Sequence, residues 1–110
     1  MNNWQNLTTV EGIDHIIEAS YQRPQLIFKH STTCGISAHI YHQLADASSN
    51  LEEVSDVHYL DLLAYRPVSN QVADKTGVPH QSPQVILVKD GKPVHNASHF
   101  SIDAKRIVAA

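Results

Sequence analysis

The chain contains a single cysteine, Cys34, and a serine follows it three residues later at Ser37. The cysteine comes after an apolar run at residues 26–28 and directly before a stretch with helical spacing. A thiol is a weak nucleophile and its thiolate a strong one, so reactivity depends on lowering the pKa of the thiol. The first turn of a helix offers unpaired N–H groups and a partial positive charge, and both stabilise a thiolate. This placement predicts that Cys34 is an activated nucleophile.

The residues around Cys34 are of the types that would support a thiolate. The N–H groups of Ile36 and Ser37 are predicted to point at the sulfur, and the Ser37 hydroxyl is predicted to donate to it. Gly35 places no side chain beside the sulfur and leaves room for a bulky substrate, while Thr33 is polar. The alternative is that Cys34 is a small buried hydrophobe, the usual fate of a free cysteine. Its position at the opening of a helix, outside the apolar stripe, favours chemistry instead.

Length and composition narrow the class of protein. The 110 residues, with 42% hydrophobic and 17% charged residues, predict one globular domain spanning residues 1–110. The net charge of -3 and the lack of a Lys/Arg cluster argue against a nucleic-acid partner. No apolar run is long enough for a membrane span, and the first residues do not resemble a signal peptide. One cysteine cannot form an internal disulfide, so we expect the chain to act in a reducing cytoplasm.

Apolar periodicity predicts helices and strands in the order α-β-α-β-α-β-β-α. This order predicts an α/β fold in which a central mixed β-sheet is flanked by helices on both faces. Open sheets of this kind place their chemistry at the carboxyl ends of the parallel strands, and Cys34 follows such an end. The predicted elements are a helix from Val10 to Ser20, a strand from Gln25 to His30, a helix from Gly35 to about Ala47, a strand from Val54 to Asp61, a helix around Pro67 to Gly77, a strand at Val85 to Val88, a returning strand that begins at Val94-His95 and a final helix containing Ile102 and Ile107.

Several details of these elements are specific enough to be checked. Residues 8–11 resemble a capping box, so Thr8 is predicted to cap the first helix, with Glu11 three residues later. The buried stripe of the second helix is predicted to contain Ile36, Ile40 and Leu44, and Ser48-Ser49-Asn50 is predicted to end that helix. Asp90-Gly91 predicts a hairpin turn. Ser101 is predicted to cap the final helix.

Two segments together resemble a known fold and a known family. A helix-opening Cys-x-x-Ser after an apolar strand, with "SPQVILVKDGKPV" downstream, resembles the thioredoxin fold, in which Ser82-Pro83 would occupy the place of the cis-proline. The segment "FKHSTTCGIS" resembles the monothiol bacilliredoxins, which typically have Thr-Cys-Pro-Ile-Ser where this chain has residues 33–37. The resemblance covers essentially the whole domain in length and element order. Gly35 replaces the proline that is usual in that family.

The resemblance implies a reaction and a set of partners. It implies that Cys34 removes bacillithiol, or a similar low-molecular-weight thiol, from mixed disulfides on client proteins. Bacillithiol would then be a co-substrate, with no tightly bound cofactor and no metal, and the resolving thiol would come from solution. The same resemblance implies that the Ser82–Pro83 peptide is cis and lies beside the Cys34 sulfur. The residues implied to bind or support the thiol are Thr33, Gly35, Ile36, Ser37, Ser82 and Pro83.

Three alternatives remain open at the level of sequence. Residues 33–37 also resemble the Cys-Gly-Phe-Ser of monothiol glutaredoxins that carry an iron–sulfur cluster, although the Gly-Gly pair of glutaredoxins is absent after Pro83. A metal site could use His39 and His42, which share a helical face, with His30 nearby in sequence. The chain could also be a thioredoxin-like interaction module that binds a partner without thiol exchange.

Overall fold

The computed structural model describes residues 3–33 and 35–110, so Cys34 itself lies outside the described residues. Helices and strands alternate along most of this length. A 3₁₀ turn at His99–Ser101 precedes the last helix. In chain order the elements are β1 (Gln5–Asn6), α1 (Val10–Ala19), β2 (Gln25–His30), α2 (Gly35–Asp46), α3 (Ser48–Val54), β3 (Asp56–Asp61), α4 (Arg66–Thr76), β4 (Gln84–Lys89), β5 (Lys92–Ser98) and α5 (Ala104–Ala109).

The five strands form one mixed sheet in the order β1-β3-β2-β4-β5. The pairs β1–β3 and β2–β3 are parallel, and the pairs β2–β4 and β4–β5 are antiparallel. All six residues of the central strand β2 are buried, as expected for a strand covered on both faces. The register pairs Lys29 of β2 with Gln84 of β4. The carboxyl end of β2 therefore meets the amino end of β4 at one edge of the sheet.

A hydrophobic core lies on each face of the sheet. On one face α1 and α4 pack over β2, with Ile13, Val72 and Ile27 at the centre. On the other face α2, α3 and α5 cover the sheet, and the buried side chains include Ile40 and Leu51. The predicted α/β architecture, a mixed sheet with helices on both faces, is confirmed.

The differences from the predicted elements lie where the apolar pattern is weak. The second helix ends at Asp46, close to its predicted end, but Ser48 begins a further helix, α3, which was not predicted and whose buried apolar side chain is Leu51. The two-residue strand β1 was not predicted, and β3 begins at Asp56, two residues after the predicted start. The last helix is capped by Asp103, whose side chain accepts the N–H of Lys105, and not by Ser101. The other predicted boundaries hold to within three residues, including the start of β5 at Lys92, two residues before the predicted Val94.

The first helix is capped by Thr9, one residue after the predicted Thr8, and this cap provides a test of the helix. The Thr9 side chain accepts a hydrogen bond from Gly12 N at 3.0 Å. Replacing Thr9 with alanine removes this acceptor, so we expect the free energy of unfolding to fall by about 1 kcal/mol. Urea denaturation checks this, with Thr8→Ala as the matched control because no cap bond involves Thr8. Equal losses in the two variants would contradict the role of the cap.

Candidate active site

The end of β2 and the start of α2 form the centre of the candidate site. His30 is the last residue of β2, and Gly35 is the first residue of α2. Because β2 and β3 are parallel, the carboxyl ends of the two strands meet here, with His30 paired to Asp61. Cys34 immediately precedes α2 in the sequence and lies outside the described residues. The expectation that its thiol is accessible and ionised stays a prediction.

The residues on either side of Cys34 in sequence reach the surface. Thr33, Gly35 and Ile36 are all exposed. A Cβ atom added to Gly35 would meet no atom within 4 Å, so there is open space at this position. The prediction that Ile36 belongs to the buried stripe of α2 is wrong, since 37% of its surface is exposed. Apart from Ile36, the exposed residues here are polar or small, so this surface leaves room for a substrate.

Ser37 is the buried residue in the first turn of α2, with no exposed surface. Its Oγ accepts the N–H of Ser31 at 3.0 Å and lies 2.9 Å from Nδ1 of His30. His30 is also buried, and burial lowers the pKa of its imidazole, while the Asp61 carboxylate and the contact with Ser37 oppose that shift. Ser37 therefore links the end of β2 to the start of α2. The predicted donation from Ser37 to the Cys34 sulfur stays a prediction.

The Ser82–Pro83 peptide is cis, which confirms the isomer implied by the resemblance. Pro83 is buried and directly precedes β4. Since Lys29 pairs with Gln84, the cis peptide lies at the sheet edge where β2 ends. The Oγ of Ser82 is buried and has no hydrogen-bond partner among the described residues. The structure thus brings Ser82 and Pro83 to the same edge as Ser37, while their distance from Cys34 stays untested.

A second polar cluster beneath this edge was not predicted from the sequence. Lys29 has no exposed surface, and its Nζ lies 3.2 Å from Nδ1 of His80 and 3.4 Å from the Ser69 carbonyl. While Lys29 is an ammonium it can only donate, so His80 Nδ1 then accepts and the ring proton of His80 is on Nε2. Burial lowers the pKa of Lys29 to about 8. The pKa of His80 is lowered by burial and by the neighbouring Lys29 and Arg66.

The sequence carried a signal for the cluster of Lys29, Ser69 and His80. Lys29 is a charged residue within a strand that is otherwise apolar enough to be buried on both faces. Such a lysine requires polar partners in the protein interior, because an isolated buried charge is costly. The sequence could not indicate that His80, 51 residues away, would be that partner.

The histidines considered for a metal site do not converge. His39 and His42 are exposed on α2, whereas His30 is buried and contacts Ser37. Across residues 3–33 and 35–110, no group of three or more His, Cys, Asp or Glu side chains is arranged to hold a metal ion.

Within the same ranges, no helix has both the length and the apolar composition needed to span a membrane.

Comparisons with known proteins agree with this geometry. A sequence model for the monothiol bacilliredoxin BrxC matches residues 5–107. A solved structure described as a candidate oxidoreductase with a thioredoxin fold is 31% identical, with a TM-score of 0.81, and the match covers 96% of this chain and 90% of that one. The thioredoxin of Malassezia sympodialis is 12% identical at a TM-score of 0.74, covering 99% and 88% of the two chains. The thioredoxin of Fasciola hepatica is 18% identical at a TM-score of 0.69, covering 86% of each chain. The last two show the fold alone, and the thioredoxin-like fold is confirmed.

Proposed function

The chain belongs to the monothiol bacilliredoxin family, and from this premise we propose that it removes bacillithiol from mixed disulfides on client proteins. The observation that carries the proposal is the match to the family over residues 5–107, which includes the one cysteine and the residues around it. The coarser assignment, a thioredoxin-fold thiol oxidoreductase, also agrees with the 31% identical structure.

The proposed reaction uses one protein thiol and two molecules of the small thiol. The Cys34 thiolate attacks the sulfur of bacillithiol in the client's mixed disulfide, and a new disulfide forms between Cys34 and bacillithiol. The old disulfide breaks, and the client's cysteine leaves as a thiolate that takes a proton from water. A second bacillithiol then attacks the bacillithiol sulfur on Cys34, which releases bacillithiol disulfide and regenerates the Cys34 thiolate. No second cysteine of the protein is needed.

The surroundings of Cys34 support this assignment of roles. The exposed residues Thr33, Gly35 and Ile36 leave space for a small thiol at the start of α2. The carboxyl end of a parallel strand followed by a helix is the usual place for binding and chemistry in open α/β sheets. Ser82 has a buried hydroxyl without a described partner at the same edge. We propose that the small thiol is bound or supported by Thr33, Gly35, Ile36, Ser37, Ser82 and Pro83.

The proposal also includes the setting of the reaction. A protein whose single thiol works by exchange needs a reducing compartment with an abundant small thiol, and we infer that this compartment is the cytoplasm. Its partners would be bacillithiol, as co-substrate, and client proteins that carry mixed disulfides. No tightly bound cofactor takes part in the scheme.

A comparison of two mixed disulfides tests the identity of the small thiol. One client protein is prepared with bacillithiol on its cysteine, and the same client is prepared with glutathione. We expect catalysed release of bacillithiol to be at least about tenfold faster than release of glutathione, since binding of the matching thiol contributes to the transition state. The measurement is the rate at which the free client thiol appears. Equal rates would contradict bacillithiol as the preferred substrate, and no release from either client would contradict the proposed function.

A further inference from the structure

The cluster of Lys29, Ser69 and His80 contains a buried positive charge that no acidic side chain of the described residues balances. The Lys29 ammonium has three N–H donors, and its acceptors are His80 Nδ1 and the Ser69 carbonyl. Within residues 3–33 and 35–110, neither Lys29 nor Arg66 forms an ion pair with a carboxylate. Because a buried charge without a counter-ion is costly, this cluster favours an anion that comes from outside the chain.

His80 connects the buried charge to the surface. It is half-buried, and its Nδ1 lies 3.2 Å from Lys29 Nζ and 3.4 Å from Ser69 Oγ. Since the pKa of Lys29 is about 8, Lys29 is mainly an ammonium at pH 7, which keeps the ring proton of His80 on Nε2. That Nε2–H has no acceptor among the described residues, and it is not a buried atom. It is therefore free to donate to a ligand.

Arg66 adds a second positive charge beside His80. It is the exposed first residue of α4, and Ser69 follows one turn later on the same side of the helix. Burial lowers the pKa of His80, and the neighbouring Lys29 ammonium and Arg66 guanidinium lower it further. The first turn of α4 contains no acidic residue. A guanidinium beside an imidazole N–H provides suitable donors for a carboxylate.

The cluster lies at the same edge of the sheet as the cis peptide. Lys29 pairs with Gln84, which directly follows Pro83. The Gln84 side chain donates to the Pro79 carbonyl at 3.0 Å and so holds the loop that carries His80. A ligand bound at the cis peptide therefore has His80 in the same loop.

We propose that His80 and Arg66 bind a carboxylate group of the low-molecular-weight thiol, with Lys29 as the positioning residue that directs the His80 Nε2–H outward. The small thiols that cells use for disulfide exchange, bacillithiol and glutathione among them, carry carboxylate groups. The carboxylate accepts hydrogen bonds from both side chains and supplies the negative charge that the cluster lacks. This site deepens the proposed function and rests on it, because that function makes the small thiol a substrate.

Two mixed disulfides of one client test the site, one with bacillithiol and one with 2-mercaptoethanol, which has no carboxylate. In Arg66→Gln and in His80→Asn we expect kcat/KM for bacillithiol release to fall about tenfold, mainly through a higher KM, because an interaction with the bound substrate is lost. Asparagine keeps an acceptor for Lys29 and removes the Nε2–H. Release of 2-mercaptoethanol should be unchanged. The measurement is the rate at which free client thiol appears.

Arg106→Gln is the matched control, since it removes an exposed arginine from α5, and it should release both thiols at the unmodified rate. Unchanged bacillithiol release in Arg66→Gln and His80→Asn would overturn the proposal. An equal loss with both mixed disulfides would also overturn it, because the carboxylate would then belong to the client protein.

Noncovalent binding tests the site without turnover. The ¹⁵N resonance of His80 Nε2 is followed while bacillithiol or 2-mercaptoethanol is added to the reduced protein, and we expect a saturable shift with bacillithiol alone. In Lys29→Met the Nδ1–H tautomer of His80 should gain population, since no ammonium donates to Nδ1. Equal shifts or no shift would overturn the site, and an unchanged tautomer would overturn the role of Lys29. Binding by a protein that releases neither thiol would refute the proposed function and leave the site standing.

Discussion

Replacement of Cys34 with serine is expected to lower the rate of bacillithiol release from a client by at least about a thousandfold. A serine hydroxyl is almost wholly protonated at neutral pH and does not displace a thiolate from a disulfide. The chain has no other cysteine to take over the reaction. The measurement is the rate at which free client thiol appears in the presence of excess bacillithiol. Any remaining rate should equal the uncatalysed exchange with bacillithiol alone.

The control for this result is a small, conservative substitution at an exposed position on another helix. Ser49→Ala alters one exposed hydroxyl on α3 and should keep the full rate. Far-ultraviolet circular dichroism of Cys34→Ser should match the unmodified protein, since serine differs from cysteine by a single atom. A Cys34→Ser variant that is folded and still catalyses release would contradict the role of Cys34.

Lys29 is expected to make stability rise with pH in the alkaline range. Its pKa is about 8 in the folded protein, compared with about 10.4 for an unperturbed lysine. Between these values the unfolded chain binds more protons than the folded one, so the free energy of unfolding increases with pH. The expected increase is about 3 kcal/mol from below pH 8 to above pH 10.4. The same stability is lost as the pH falls from 10.4 to about 8, because over this range the unfolded chain binds a proton that the folded chain does not.

The comparison with Lys29→Met isolates this effect. Urea denaturation at several pH values between 7 and 10.5 gives the free energy of unfolding of each protein. Methionine cannot titrate and has a similar length, so the rise assigned to Lys29 should be missing from the variant. Lys92→Met changes an exposed lysine in β5 and serves as the matched control. The same pH dependence in Lys29→Met and the unmodified protein would show that Lys29 is not the group responsible.

The fold could be predicted where hydrophobic periodicity is strong. The bounds of β2 were predicted to the residue, and the left-handed Gly77 ends α4 as predicted. Weak patterns failed for a physical reason. In α3, Leu51 is the main buried side chain among polar neighbours, so no periodic stripe marks the helix. The strand β1 has two exposed residues and owes its existence to pairing with β3, which a local pattern cannot reveal.

The elements that surround the candidate site were predicted, and its polar interior was missed. The helix start after β2 and the cis peptide before β4 followed from the motif. Ile36 was assigned to the core because it steps by four with Ile40 and Leu44, yet the buried residue of that turn is Ser37. Serine at this position could be recognised as a core residue only once His30 and Ser31 were placed beside it. Side-chain contacts of this kind, between residues six or seven positions apart across a turn, leave no periodic trace in the sequence.

The most direct test of the central claim is the mass of the protein during turnover. A bacillithiolated client is mixed with the reduced protein in the absence of free bacillithiol, and intact mass and peptide masses are measured. The account predicts a mass increase of one bacillithiol on the peptide that contains Cys34, together with an equal amount of free client thiol. An unmodified Cys34 with the client still bacillithiolated would contradict the account.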